Sequence, residues 1–89
     1  MKVLKFGAVW CPGCIIMKPI WAEIEKEMPG LKTEYFDYDE NKEEVEKWSI
    51  GDEIPVFIFL DKQGEEFHRI VGQVSKRELM RFINENLSR

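Results

Sequence analysis

Hydrophobic and polar positions alternate along this chain in blocks whose period switches between two and about 3.6, and the switches mark out strands and helices in turn. Lys2 to Val9 reads as a strand, with Leu4, Phe6 and Ala8 on one face and Val3, Lys5, Gly7 and Val9 on the other. Apolar residues on both faces suit an interior strand covered on two sides, and Lys5 is the exception. From Pro12 to Glu27 the period becomes helical. Ile16, Ile20 and Ile24 form one apolar stripe beside a second of Met17, Trp21 and Met28. Pro19 lies inside that helix; its ring removes a hydrogen bond and presses on the carbonyl of Ile15, which predicts a kink that sets the first turn on its own axis. Met28-Pro29-Gly30 then stops the helix.

Leu31 to Tyr38 alternates less cleanly and carries Lys32, Glu34 and Asp37, charges that suit an edge strand protected from pairing with another molecule. Asn41 with Glu44 resembles a capping box, and Val45 and Trp48 give the short helix behind it an apolar face, its other faces being solvated. After a loop over Ser49 to Ile54, the stretch Val56 to Leu60 is apolar at every position and reads as a central strand. Asp61-Lys62-Gln63-Gly64 is a turn short enough that Glu66 to Val71 returns antiparallel to the strand before it. Ser75 with Glu78 forms another capping box, opening a helix whose Leu79, Phe82, Ile83 and Leu87 face inward. The order β-α-β-α-β-β-α predicts an α/β fold, a four-stranded mixed sheet with helices on both faces.

Length and composition set outer limits on this picture. At 89 residues, 44% apolar and 34% charged, the chain fits a single soluble domain spanning 1–89 with a modest core. No stretch nears the roughly 18–20 apolar residues of a membrane span, and no secretory leader pattern opens the sequence, so a reducing cytoplasm is the expected compartment. There a surviving cysteine pair is more often catalytic than structural. The net charge of −4 disfavours nucleic acid, whose phosphates are bound through Lys and Arg. A monomer with no nucleic-acid or membrane partner is the expectation.

Both cysteines fall where the first strand gives way to the first helix, in Trp10-Cys11-Pro12-Gly13-Cys14. Cys11 occupies the cap, Pro12 takes the first helical position, where an N–H would have had no partner, and Cys14 lies on the first turn. Residues three apart on a helix have Cα atoms about 5 Å from each other, within the roughly 4.4–6.8 Å that a disulfide spans. The positive end of the helix and its free amides favour a thiolate at Cys11. Cys11 is therefore the expected nucleophile, and Cys14, tucked under the turn as the less accessible sulfur, the resolving thiol. A disulfide closing so short a loop would add little stability, which weakens a purely structural role. Zinc or an iron–sulfur cluster usually takes four protein ligands, and beyond these cysteines the chain offers a single His, His68, distant in sequence. His68 reads as an ordinary surface or partly packed residue, and Trp21 and Trp48 as core. Redox exchange leads; the alternative is a binding protein that holds a soft metal through the two cysteines.

With these residues in hand, the sequence resembles the thioredoxin family over nearly its whole length. The resemblance rests on Trp10 to Cys14, on Pro19 within the helix, on Ile54-Pro55, and on Val71-Gly72-Gln73-Val74-Ser75-Lys76 followed by Leu79, Phe82, Asn86 and Leu87. It implies a cis Ile54-Pro55 bond facing the disulfide. It also implies an apolar surface of Trp10, Ile54, Pro55 and Gly72 around the cysteines, with the backbone at Ile54 able to pair with an extended substrate segment. The implied activity is dithiol–disulfide exchange that reduces protein disulfides with no bound cofactor, the pair being restored by an upstream disulfide reductase.

Several features depart from the family. The sequence opens at what would be the family's second strand, so the expectation is a fold without the usual N-terminal strand and helix, of glutaredoxin size. Between the cysteines stand Pro12 and Gly13, where thioredoxins commonly have Gly-Pro and many glutaredoxins Pro-Tyr. Pro12 has no N–H to offer Cys11, so the family's redox potential does not carry over. The Thr-Val-Pro and Gly-Gly-Asp signatures with which glutaredoxins hold glutathione are missing. Lys5 stands where thioredoxins usually bury an Asp beneath the resolving cysteine. Its charge would favour thiolates nearby, and pairing with Glu34 or another carboxylate of the second strand would keep an acid and a base at the site with positions exchanged. In the opposing reading, Lys5 snorkels to the sheet margin and touches neither sulfur.

Overall fold

In a computed structural model describing all 89 residues, the chain forms β1 (Lys2–Gly7), α1 (Pro12–Glu27), β2 (Lys32–Asp37), α2 (Lys42–Lys47), β3 (Val56–Leu60), β4 (Glu66–Val71) and α3 (Lys76–Glu85). The sheet order is β2-β1-β3-β4, with β1 parallel to β2 and antiparallel to β3, and β3 antiparallel to β4. This is the four-stranded mixed sheet that the hydrophobic pattern predicts. A parallel pair needs a crossover, and α1 supplies it between β1 and β2. The β3–β4 hairpin closes through Asp61, whose side chain accepts the Gln63 and Glu65 amides at 2.9 Å each, with Gly64 at φ +83°. At that φ an L side chain is disfavoured, which is why a glycine sits there.

The core splits across the sheet by strand parity. Val3, Phe57 and Phe59 point to the side where Met17, Trp21 and Ile24 of α1 meet Leu79 and Ile83 of α3. Leu4, Phe6, Val56, Ile58 and Leu60 point to the other, where Ile50 joins them and Val45 and Trp48 pack from α2 and its end. All five residues of β3 are buried, as an interior strand requires.

Four expectations need correction. β1 stops at Gly7 rather than Val9, because the chain turns there to feed α1, and Val9 is 83% exposed. The buried stripe of α1 is Met17, Trp21 and Ile24, while Ile16 is half exposed. Positions four apart drift by about 40° per step, so the row Ile16–Ile20–Ile24 leaves the core as it runs toward the N-terminus. Asn41 stands at the N-cap of α2 without capping it; its Oδ1 instead accepts the Asp37 amide at 2.9 Å. Leu87 is exposed, since α3 ends at Glu85 and Asn86 closes it. The Ser75 cap holds, with Oγ accepting the Glu78 amide at 3.1 Å. α1 runs from Pro12 to Glu27 as one continuous helix through Pro19, which is exposed, as is Ile15.

Candidate active site

The site grows from the end of β1. The Gly7 carbonyl accepts the Tyr38 amide at 2.7 Å, and the chain turns so that the Cys11 amide bonds back to Ala8 O at 3.2 Å. That turn delivers Cys11, in extended conformation, to the N-cap of α1, with Pro12 in the first turn. Cys11 Sγ is itself the cap, accepting the Cys14 N–H at 3.2 Å. An amide donor and the positive end of a helix both hold a sulfur more strongly when it carries negative charge. Both cysteines are free thiols.

From the opposite side, Ile54 carbonyl accepts Cys11 Sγ–H at 3.5 Å, and the Ile54–Pro55 bond is cis as expected. Pro55 is tied down in turn, its carbonyl taking the Gly72 amide at 2.7 Å. Gly72 adopts φ +93°, a conformation that leaves glycine the natural occupant. Gly13 allows a close approach instead: a Cβ there would lie 3.2 Å from both Pro55 Cδ and Gln73 Cγ, which would have to give by a few tenths of an ångström. Trp10 is exposed, with Nε1 donating to Asp39 Oδ2 at 2.6 Å and its ring edge-on to Tyr38. Trp10, Cys11, Gly13, Cys14, Ile54, Pro55 and Gly72 therefore gather at one end of the sheet.

Counted over the whole residue, the burial of the two cysteines is the reverse of the expectation. Cys11 is 5% exposed, whereas Cys14 is only half-buried. The Ile54-Pro55 segment closes against Cys11, while Gly7, next to Cys14, has no side chain with which to cover it: a Cβ on Gly7 would lie 3.2 Å from Cys14 Sγ. Burial still pushes the Cys14 thiol up, and its hydrogen bond with Cys11 and the charge of Cys11 push it further, to about 12.

Lys5 pairs with neither Glu34 nor any other carboxylate of β2, and it does not escape to the margin. Its ammonium bonds to Glu25 of α1, which also accepts Thr33 Oγ1 at 2.8 Å, and it lies 5.5 Å from the centre of the Trp21 ring. Strand parity decides the partner. Glu34 is in register with Leu4 and so faces the α2 side, where it pairs with Lys2 at 2.8 Å, while Lys5 faces α1. Burial would raise the Glu25 carboxyl, but the hydrogen bonds from Lys5 and Thr33 and the Lys5 charge outweigh it and hold Glu25 below the usual carboxylate range.

His68 lies on β4, stacked on Phe82 with ring centres 4.5 Å apart. No three His, Cys, Asp or Glu side chains gather as a metal would need. Trp21 is buried and Trp48 half-buried against α2's side of the sheet. Four residues escaped the sequence reading: Asp39, which holds Trp10; Tyr35, whose ring flanks Gly7; Glu25; and Gly7 itself. Only Gly7 left a signal, a glycine inside a strand pattern, which often marks close approach by another group.

A family profile described as thioredoxin matches residues 1–77. The sequence is 40% identical over 83 residues to a Nicotiana tabacum protein, "Thioredoxin H-type 1", covering 93% of this chain and 64% of that one. With "Thioredoxin H-type" of Ricinus communis it shares 33% over 86 residues, covering 97% of this chain and 70% of the relative. The chain thus spans just under two thirds of the tobacco relative's length. Among solved structures it is similar to thioredoxin NaTrxh from Nicotiana alata, with a TM-score of 0.84 and 30% identity over 94% of this chain and 70% of that one. Thioredoxin from Trypanosoma brucei brucei gives a TM-score of 0.86 and 26% identity over 99% of this chain and 75% of that one. On its sequence, its sheet order and the capped cysteine pair beside a cis proline, this chain belongs to the thioredoxin family.

Proposed function

We propose that this protein is a thiol–disulfide oxidoreductase that reduces protein disulfides, with Cys11 as nucleophile and Cys14 as resolving thiol. The observation that carries the reading is the Cys14 N–H donated to Cys11 Sγ at 3.2 Å on the tip of α1. The Cys11 thiolate attacks one sulfur of the substrate, giving a Cys11–substrate disulfide and releasing the other substrate sulfur as thiolate. The Cys14 thiol then attacks Cys11 Sγ, its proton passing to solvent or to the departing substrate sulfur, and the Cys11–Cys14 disulfide forms as the second substrate thiol leaves. Two electrons pass to the substrate. The high Cys14 value supports this order: part of it comes from the bond and charge of Cys11, and both disappear once Cys11 is in a mixed disulfide. Cys14 is thereby quiet until it is needed.

Trp10, Ile54, Pro55 and Gly72 supply the surface on which a substrate segment lies, and the pair itself carries the electrons, so the cycle calls for no resident cofactor. An upstream disulfide reductase restores the dithiol, in keeping with a reducing cytoplasm. The test is insulin reduction with a coupled dithiol. Cys11→Ser abolishes turnover, whereas Cys14→Ser leaves a trapped mixed disulfide on Cys11. Turnover surviving in Cys11→Ser overturns the assignment.

A further inference from the structure

Gln73 lies beside the cysteine turn, and the proposed cycle gives it no task. The Gly72 amide bonds to the Pro55 carbonyl at 2.7 Å and Gly72 turns at φ +93°, so the chain delivers residue 73 against the cis proline. There the Gln73 side chain runs across Gly13. A Cβ built on Gly13 would lie 3.2 Å from Gln73 Cγ, 3.3 Å from its Nε2 and 3.2 Å from Pro55 Cδ, so carboxamide, glycine and proline meet around one small gap. The order Pro12-Gly13, where thioredoxins commonly have Gly-Pro, leaves that gap; any side chain at position 13 would press on Gln73.

We propose that Gln73 binds substrate: its carboxamide hydrogen bonds to the main chain of the segment that carries the target disulfide, so the site favours disulfides borne on peptides over small disulfides without a peptide bond. The inference rests on the proposed reduction of protein disulfides at Cys11. Gln73 is exposed, and its carboxamide takes no part in the bonds that hold this end of the fold, which run from Cys11 to Ile54, from Cys14 to Cys11, from Trp10 to Asp39 and from Gly72 to Pro55. Its donors and its acceptor oxygen are free for a partner. Trp10 and Val71, by contrast, offer this face large apolar side chains open to solvent. A carboxamide has the two donors and the acceptor that match the N–H and C=O of one extended residue.

The chemistry of the mixed disulfide says why the main chain is what Gln73 meets. A substrate cysteine joined to Cys11 has only its Cβ between sulfur and Cα, so its main chain passes close over the cysteine turn whatever residues flank it. Flanking side chains vary and can point away. Gln73 bonds to neither sulfur, so the contact it supplies is the same before and during sulfur transfer. Such uniform binding acts on KM rather than on kcat.

The test compares wild type with Gln73→Met and Gln73→Ala in single turnovers of the fully reduced protein, quenched in acid over a range of substrate concentrations. One substrate is the disulfide-linked dimer of a glycine- and alanine-rich peptide, whose flanks offer little besides main chain; the other is 2-hydroxyethyl disulfide. In both variants the preference for the peptide dimer should fall about three- to tenfold, the worth of one hydrogen bond between neutral groups. The fall should lie in the half-saturating peptide concentration and not in the limiting rate. Methionine keeps a stem against Gly13 and Pro55, so a loss common to both variants belongs to the carboxamide. An unchanged preference, a loss in Gln73→Ala that Gln73→Met does not share, or an equal loss on both substrates overturns the inference and leaves the proposed function standing. Wild-type protein that reduces neither disulfide removes both.

Discussion

Cys14 shares one hydrogen bond and one electrostatic field with Cys11, so the two sulfurs do not ionise independently, and the first to lose its proton holds the other back. Burial is the largest cause of the raised Cys14 value, and it survives when Cys11 is removed. In Cys11→Ala, Cys14 should therefore titrate below about 12 yet above its ordinary 9.0, read from the pH dependence of iodoacetamide alkylation. A profile centred at the ordinary value would mean that burial does nothing at this site. Lys5 acts on Glu25 in the same local way. In Lys5→Met the carboxyl loses its strongest counterweight to burial and moves up, so the variant's Glu25, followed by carboxyl NMR titration, should protonate at higher pH than the wild type's. That Lys5 departs from the family pattern is plain from the sequence. Its partner is not, because choosing Glu25 over Glu34 depends on the register of β2 against β1, which no local pattern encodes.

At the scale of elements, every strand and helix is legible in the pattern of apolar residues, and the errors lie at ends and faces. Gly7 ends β1 because a chain must turn to enter α1, a tertiary demand that overrides the apolar run continuing to Val9. The two serines that bound helices make opposite predictions. Ser75 caps α3 through the Glu78 amide, so Ser75→Ala should destabilise by about 1 kcal/mol in urea unfolding. Ser49 follows α2 at φ 53°, where its amide bonds to Glu46 O at 3.1 Å and the Ile50 amide to Val45 O at 2.8 Å, the paired bonds that close a helix with a left-handed residue. Glycine meets no Cβ penalty there, and the relief exceeds the entropy it adds to the unfolded chain. Ser49→Gly should stabilise by about 0.5–1 kcal/mol, and a loss of stability would show that the serine side chain does more than tolerate the turn.

For the whole molecule, the shifted groups define a pH window. Glu25 and Glu66 are held below their ordinary 4.5, Glu66 chiefly by its bonds from Arg69, so each contributes stability that is complete above that value and is lost as pH falls through it. Cys14 and Tyr35 are raised above 9.0 and 10.0, mainly by burial, so the folded chain keeps protons that the unfolded chain gives up, and stability declines as pH rises beyond 9.0. Between 4.5 and 9.0 none of these groups changes charge differently in the two states. The urea midpoint should accordingly be flat across that window and fall on both sides of it. Replacing Cys14 by Ser removes the first of the alkaline groups and should delay the alkaline fall toward the Tyr35 range. A midpoint that went on rising above 9.0 would mean that folding exposes Cys14 rather than sheltering it, and the quiet resolving thiol would have no physical basis.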